Sequence, residues 1–299
     1  VAGLIVKAKP EIQRLKPLEC IDALAETVKL EMDLRLEAAA AVEIAENFAG
    51  DEDFRVPQVD WTRTGRRVMT TERLSGIPLD ERDALIAAGH DPHMVLQKSS
   101  NASFRQVFRD GFFHADAHPG NLFVLESGAI GAVDFGIMGR LDLKFRRWLG
   151  ELLVAFLNRD YRRAAEIHFE AGWVPSHRSV DAFTQACRSI AEPILDRPQN
   201  EISITRLLGQ LFQITETFQM EAQPQLLLLQ KTMLVAEGVG RGLYPDVNMW
   251  ELARPMIADW MTETLGPEAR IRDAVGDVVR GLERLPTLLA DVEDSVDAM

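Results

Sequence analysis

The chain has 299 residues, 46% of them apolar and 26% charged, with 14 Pro and 20 Gly, proportions that belong to an ordinary globular protein and exclude collagen-like, coiled-coil and disordered classes. Acidic residues outnumber basic ones 46 to 33, and the net charge of -13 speaks against a nucleic-acid binder, which normally carries the opposite sign. The two cysteines, Cys20 and Cys187, stand far apart in no metal-ligand spacing, so neither a disulfide framework nor a cysteine zinc site is expected and a reducing compartment is the default.

In chain order, Val1 opens without an initiator Met, a basic n-region or a signal-peptide pattern, and the chain is read as a piece of a longer protein. Residues 17–49 are expected to form a long helix. Val28, Leu30, Met32, Leu34 and Leu36 alternate with polar residues as a strand would, but the Ala38–Ala41 run and the Glu-rich continuation favour helix, and Gly50 supplies a stop. Segments 54–61 and 66–74, joined by Thr62-Arg63-Thr64-Gly65, predict an antiparallel hairpin. Ser75-Gly76-Ile77-Pro78 reads as the break after it, and helical patterns follow to about Asp110. A second, short hairpin is predicted at 122–125 and 130–133, turned by Glu126-Ser127-Gly128, and helical patterns fill the chain from Leu141 onward. The most apolar of these, Pro224 to Leu243, also carries Lys231, Glu237 and Arg241. That is too much charge for a bilayer span, so a buried core helix is expected and no segment is expected to cross a membrane. Helix, hairpin, helices, short hairpin and helices make an α+β arrangement.

The chemistry concentrates between His114 and Asn121, with Asp134-Phe135-Gly136 beyond the second hairpin. Asp116, Asn121 and Asp134 thus stand on loops flanking two short strands. Phosphoryl transfer needs charge neutralisation and a positioned hydroxyl, which one carboxylate can orient, while a second carboxylate and an amide oxygen suit Mg²⁺. The protein-kinase pattern H-R-D-x-x-x-x-N followed by D-F-G supplies such groups, and here His114-Ala115-Asp116 reaches Asn121 at the same offset, with Asp134-Phe135-Gly136 after it. Two other readings compete. His114, Asp116 and His118 could form a transition-metal run, although no further His or Cys cluster completes a shell. Asp134-Phe135-Gly136 could be a mere turn.

His114 to Asn121 with Asp134-Phe135-Gly136 resembles the UbiB (AarF) family of atypical protein-kinase-like proteins, whose usual run is H-A-D-P-H-P-G-N; Ala117 stands where the family commonly has Pro. Glu31-Met32-Asp33 is similar to the family's E-x-D motif, and Glu37-Ala38-Ala39 to its R-E-A-A segment. Thr71 to Gly76 resembles a kinase hinge, and 234–239 and 243–248 resemble the family's helical C-terminal region. Upstream family motifs, K-x-G-Q, an Ala-rich loop and a V-A-V-K strand lysine, are not found. Leu4-Ile5-Val6-Lys7 imitates the last but lies only 24 residues before Glu31, so Lys7 is read as helix surface.

The resemblance implies a protein-kinase-like fold with a partial N-lobe over residues 1–75 and a mainly helical C-lobe over 76–299. It implies ATP and Mg²⁺ as cofactors. Asp116 would be the catalytic acidic residue, and Asn121 and Asp134 metal ligands. The backbone at Glu72 and Leu74 would meet the adenine, Glu37 would serve as the αC-type glutamate, and Glu31, Asp33, His114 and His118 would lie around the site. The implied role is an atypical kinase or ATPase of isoprenoid-quinone (ubiquinone) biosynthesis, cytoplasmic at the inner membrane face. A quinone-precursor or lipid substrate, biosynthetic-complex partners and no nucleic acid are expected. A small-molecule phosphotransferase of the aminoglycoside or choline type and a nucleotide-binding scaffold with little turnover are the rivals. Without the upstream lysine, Glu31, Asp33, Glu37, Asp116 and Asp134 are expected to gather as unpaired carboxylates with raised pKa values.

Overall fold

The computed structural model describes residues 33–195, 204–220, 224–244 and 249–265. The readings at Lys7, Cys20, Glu31 and the first half of the expected 17–49 helix lie outside these residues. Helix α1 (Leu34–Asn47) begins where the Asp33 carboxylate accepts the Arg35 N–H, and its Ala-rich face buries Ala38, Ala41 and Ile44 at helical spacing. Phe48, just past its end, packs on Phe54 with ring centroids 4.5 Å apart. That contact hands the chain to β1 (Phe54–Arg55).

Strand β2 (Gly76–Pro78) is followed by α2 (Arg82–Ala87) and α3 (Pro92–Phe104). Asp91 caps α3 by accepting the His93 N–H at 2.9 Å, and Pro92 occupies the first turn, where its missing N–H costs nothing. The helix then widens into a π-helical stretch, Arg105–Asp110, stopped by Gly111 at φ +67°. Next come β3 (Phe112–His114), β4 (Leu122–Leu125), β5 (Ile130–Ala132) and β6 (Met138–Arg140). One sheet has the order β1-β5-β4-β2, with β1 parallel to β5 and the other neighbours antiparallel; β3 and β6 form a separate antiparallel ribbon. A Cβ on Gly139 would fall 2.1 Å from the Phe113 ring, so this ribbon closes only over glycine.

Two expectations need correction. The 54–74 hairpin exists only as the bridges Val59–Thr71 and Gly65–Val68 with a few flanking bonds. Its side chains compete for the ladder: Asp60 takes the N–H groups of Thr62 and Arg63, and the Thr64 hydroxyl takes that of Thr70. The supposed break at 75–78 is instead the edge strand β2. Gly76 permits it, because a Cβ there would lie 2.6 Å from the Val124 carbonyl oxygen, and Pro78 is tolerated at a sheet edge.

The remaining described elements are helices: α4 (Leu143–Leu157), α5 (Tyr161–Glu170), α6 (Val180–Ala191), α7 (Ile204–Thr217), α8 (Pro224–Leu243) and α9 (Met249–Leu265). The described residues divide into two compact units. The first comprises those up to Asp142 together with α8; the second comprises α4–α6 and most of α7 and α9. The division expected at residue 75 lies inside the first unit, where β2 pairs with β4. In the second unit Tyr161, Val174, Phe183, Cys187 and Phe218 share one apolar core. No helix among the described residues is long and apolar enough to cross a membrane.

Candidate active site

Strand β3 delivers His114, which is only 3% exposed, to the centre of the first unit. Its N–H donates to Gln106 Oε1 at 2.9 Å, a partner supplied by the π-helical stretch. Its Nδ1 accepts the Asp116 N–H at 3.1 Å, so Nε2 carries the proton and donates to the Val133 carbonyl at 3.2 Å. Burial holds the imidazole below its ordinary pKa, against the bond to Val133 and the nearby Asp134 and Asp116 charges. A neutral ring therefore ties the 114–121 loop to Val133, which follows β5 and precedes Asp134.

The loop is closed by its own polar groups. Asn121, buried, donates from Nδ2 to the Asp116 carbonyl at 3.2 Å, which leaves Oδ1 as a hard oxygen donor. The Asn121 carbonyl accepts the Val133 N–H at 2.9 Å, so the two flanking loops are held together at two places. His118 Nδ1 accepts the Gly120 N–H at 3.1 Å and shapes the short 3₁₀ turn Pro119–Asn121. Both histidines are thus committed to the backbone. Among the described residues no group of three His, Cys, Asp or Glu could hold a metal ion, so the transition-metal reading of His114, Asp116 and His118 has no structural support.

Asp134 sits at φ +62°, a left-handed conformation that Asp tolerates better than most residues. A Cβ at Gly136 would lie 3.4 Å from Asp134 Oδ1 and 3.9 Å from Glu37 Oε2, which locates both carboxylates over the same glycine. The Glu37 carboxylate accepts the Phe135 N–H, yet burial and then the Asp134 charge raise its pKa above the ordinary value. Phe135 is buried with its ring 5.4 Å from that of His114. The Asp134 carboxylate and Asn121 Oδ1 are each hard oxygens of the kind that Mg²⁺ prefers.

The other expected residues are placed differently. Of the five carboxylates expected to gather, Glu31 lies outside the described residues, and the other four do not gather unpaired. Asp33 is held by Arg35 at 2.6 Å, which keeps its carboxyl at about 2, and Asp116 Oδ1 is paired with Lys231 Nζ at 2.8 Å. Glu37 and Asp134 are the two that meet. Glu72 gives its carboxylate to Arg55 at 2.6 Å and its N–H to the Gln58 carbonyl. Leu74 packs its side chain over Gly131 of β5. Sequence reasoning missed Gln106 and Lys231. The signal for Lys231 is a lone lysine two residues past the Leu226–Leu229 run of α8.

Residues 1–168 match an ABC1 atypical kinase-like domain, and residues 187–248 match a UbiB helical domain. The chain is 43% identical over 298 residues to a Vibrio campbellii protein described as "Probable protein kinase UbiB", covering 97% of this chain and 55% of that one. A Marinobacter nauticus protein of the same description is 41% identical over 300 residues, covering 99% of this chain and 55% of that one. The chain therefore spans about half the length of the curated relatives it matches. Among solved structures, Mycobacterium tuberculosis Rv3197, solved in complex with erythromycin, aligns with a TM-score of 0.56 at 24% identity over 78% of this chain and 60% of that chain, a likeness of fold. The small sheet, the many helices and the two matched domains make this an α+β, protein-kinase-like chain, and it belongs to the UbiB family of ABC1 atypical kinase-like proteins.

Proposed function

We propose that this chain forms the reaction core of an ATP-using, Mg²⁺-dependent atypical kinase or ATPase that supports isoprenoid-quinone biosynthesis at the inner face of a membrane. The observation that carries this reading is the neutral His114 ring, bonded on one side to the Asp116 amide and on the other to the carbonyl before Asp134. That single group fixes the distance between a candidate proton acceptor and a candidate metal ligand.

Asn121 Oδ1 and the Asp134 carboxylate would hold Mg²⁺, which would supply neutralisation of phosphate charge. Asp116 orients the hydroxyl of the acceptor, or a water, and takes its proton. The acceptor oxygen bonds to the γ-phosphorus as the bond from that phosphorus to the β–γ bridging oxygen breaks, and ADP leaves. The Glu72 carbonyl and the Leu74 amide border the adenine. Glu37, beside Asp134 and raised in proton affinity, is set to receive a cation. After Gly136 the chain passes through β6 directly into α4, so no long segment is available to dock a peptide. A small or lipid acceptor, such as a quinone precursor, fits better.

Isothermal titration and ATP turnover of the full-length protein test this, with and without lipid or quinone-precursor analogues. Mg²⁺-dependent ATP binding is expected in the wild type. The Asp116→Asn variant should keep that binding and lose most of its turnover, retaining a measurable residual rate. A wild-type protein that binds ATP equally with and without Mg²⁺, or not at all, would overturn the reading.

A further inference from the structure

Resting on that reading of the site, we infer that Lys231 is a positioning residue of the phosphoryl-transfer centre, contributed by the helical domain rather than by the kinase-like domain. Asp116 lies within the 1–168 match and Lys231 within the 187–248 match, yet α8 belongs to the first compact unit, where it packs against α3 and β6. The far end of α8 is anchored there as well. Arg82 Nε donates to the Leu243 carbonyl at 3.1 Å, and Tyr244 meets the His93 ring edge-on at 5.4 Å.

The rotation of α8 about its axis is set by Thr232. This residue is buried, and its hydroxyl lies 3.1 Å from the Leu228 carbonyl and 3.3 Å from the His114 carbonyl. The helix is thereby keyed to the same residue that organises the loop. With Thr232 facing the His114 backbone, its neighbour Lys231 reaches past the loop, and Nζ settles 2.8 Å from Asp116 Oδ1. Two consecutive residues of one helix thus grip the 114–121 loop, one by backbone and one by side chain.

The Lys231 and Asp116 side chains are 48% and 29% exposed, and ion pairs this open add little to folding stability. What the pair does is directional. It occupies Oδ1, which leaves Oδ2 for the acceptor's proton. The loop has no cation of its own to do this: His114 to Asn121 contains no Lys or Arg, and His118, two residues after Asp116, is turned onto Gly120. Lysine suits the task as a compact charge with three donors on a flexible stem.

The test is steady-state ATP turnover and Mg·ATP titration of the full-length protein with Lys231→Ala, Lys231→Arg, Asp116→Asn and the Lys231→Ala/Asp116→Asn double variant, each checked for an unchanged melting curve. Lys231→Ala should lower kcat by roughly 10- to 100-fold while KM and Mg·ATP affinity change less than about twofold, the signature of lost positioning rather than lost binding. Lys231→Arg should recover most of kcat. In the Asp116→Asn background Lys231→Ala should add no further loss, because it acts through Asp116. Unchanged or faster turnover in Lys231→Ala, a raised KM at constant kcat, or multiplicative losses in the double variant would each overturn the inference while leaving the site intact. A wild type without turnover would overturn the reading of the site and this inference with it.

Discussion

The two units are held together by different chemistry. Among the described residues the buried polar side chains are Gln106, His114, Asn121 and Thr232, and all four bond the backbone of the segment around the candidate site. The second unit buries rings and aliphatic groups instead. Phe183 lies edge-on to Phe218 at 4.9 Å and to His168 at 5.0 Å, and Cys187 is buried deeply enough to push its thiol up to about 12. No charged residue described there is fully buried, and Arg163 bridges Glu151 and Glu170 from a half-buried position. Apolar packing fills volume without fixing particular atoms, whereas a satisfied polar network specifies which atom faces which. Polar burial is found where atoms must be aimed.

The contrast can be broken most decisively at Asp134. Asp134→Ala in the full-length protein should abolish Mg²⁺-dependent nucleotide binding in isothermal titration and leave the fold standing; Asp134→Gly, which suits the left-handed backbone, should do the same. Next in size come two glycines, one in each unit. Gly139→Ala drives a methyl into the Phe113 ring, and Gly150→Ala drives one to 2.4 Å from the Trp260 ring. Each should cost about 1–3 kcal/mol or more by overpacking, read as a lower melting temperature. Hydrogen exchange should separate them: Gly139→Ala loosens the β3–β6 amides, while Gly150→Ala loosens residues 143–157.

Two histidines, one in each unit, sharpen the comparison further. His114→Phe keeps the contact with Phe135 but leaves the Asp116 N–H and the Val133 carbonyl unpartnered, a loss of about 2 kcal/mol or more in denaturant titration. His168→Phe removes only one bond, to an Ala164 carbonyl 2.7 Å away, and should cost less than His114→Phe. The smallest effect is in pH. Burial lowers the His168 pKa beneath its ordinary 6.5, so the unfolded chain takes up the proton first. Its contribution is complete above that value and is lost as pH falls below it, toward the folded pKa. Melting curves taken down to about pH 5 should show a shallower acid decline in His168→Phe than in the wild type.

Much of the candidate site's local arrangement is legible in the sequence because its parts are close in the chain. His114, Asp116, Asn121 and Asp134 fall within one short stretch, and the hairpin between them is bracketed by a Ser-Gly turn. Glu37 was placed through resemblance, and it reaches the Phe135 amide. The missed elements depend on distant partners. Strand β1 pairs in parallel with β5, which no local pattern of two residues announces. Segment 76–78 looks like a break because it holds Gly and Pro, and it becomes a strand because β4 offers an edge. Lys231 is 115 positions from Asp116, on a helix whose apolar content suggested burial alone. The 54–74 hairpin was overestimated because the turn's Asp and Thr side chains, not only its strand pattern, decide where its N–H groups go.

The left-handed backbone at Asp134 has a consequence for how this protein can change over generations. The residues that hold such a conformation most readily are Gly, Asn and Asp. Both Asn and Gly lie a single base substitution from an aspartate codon. A lineage can therefore lose the carboxylate without bending the loop that carries it, and pass in one step to a chain that keeps the fold and lacks the candidate metal ligand. At most other positions of this site the shape and the chemistry would be lost together; at this one they come apart.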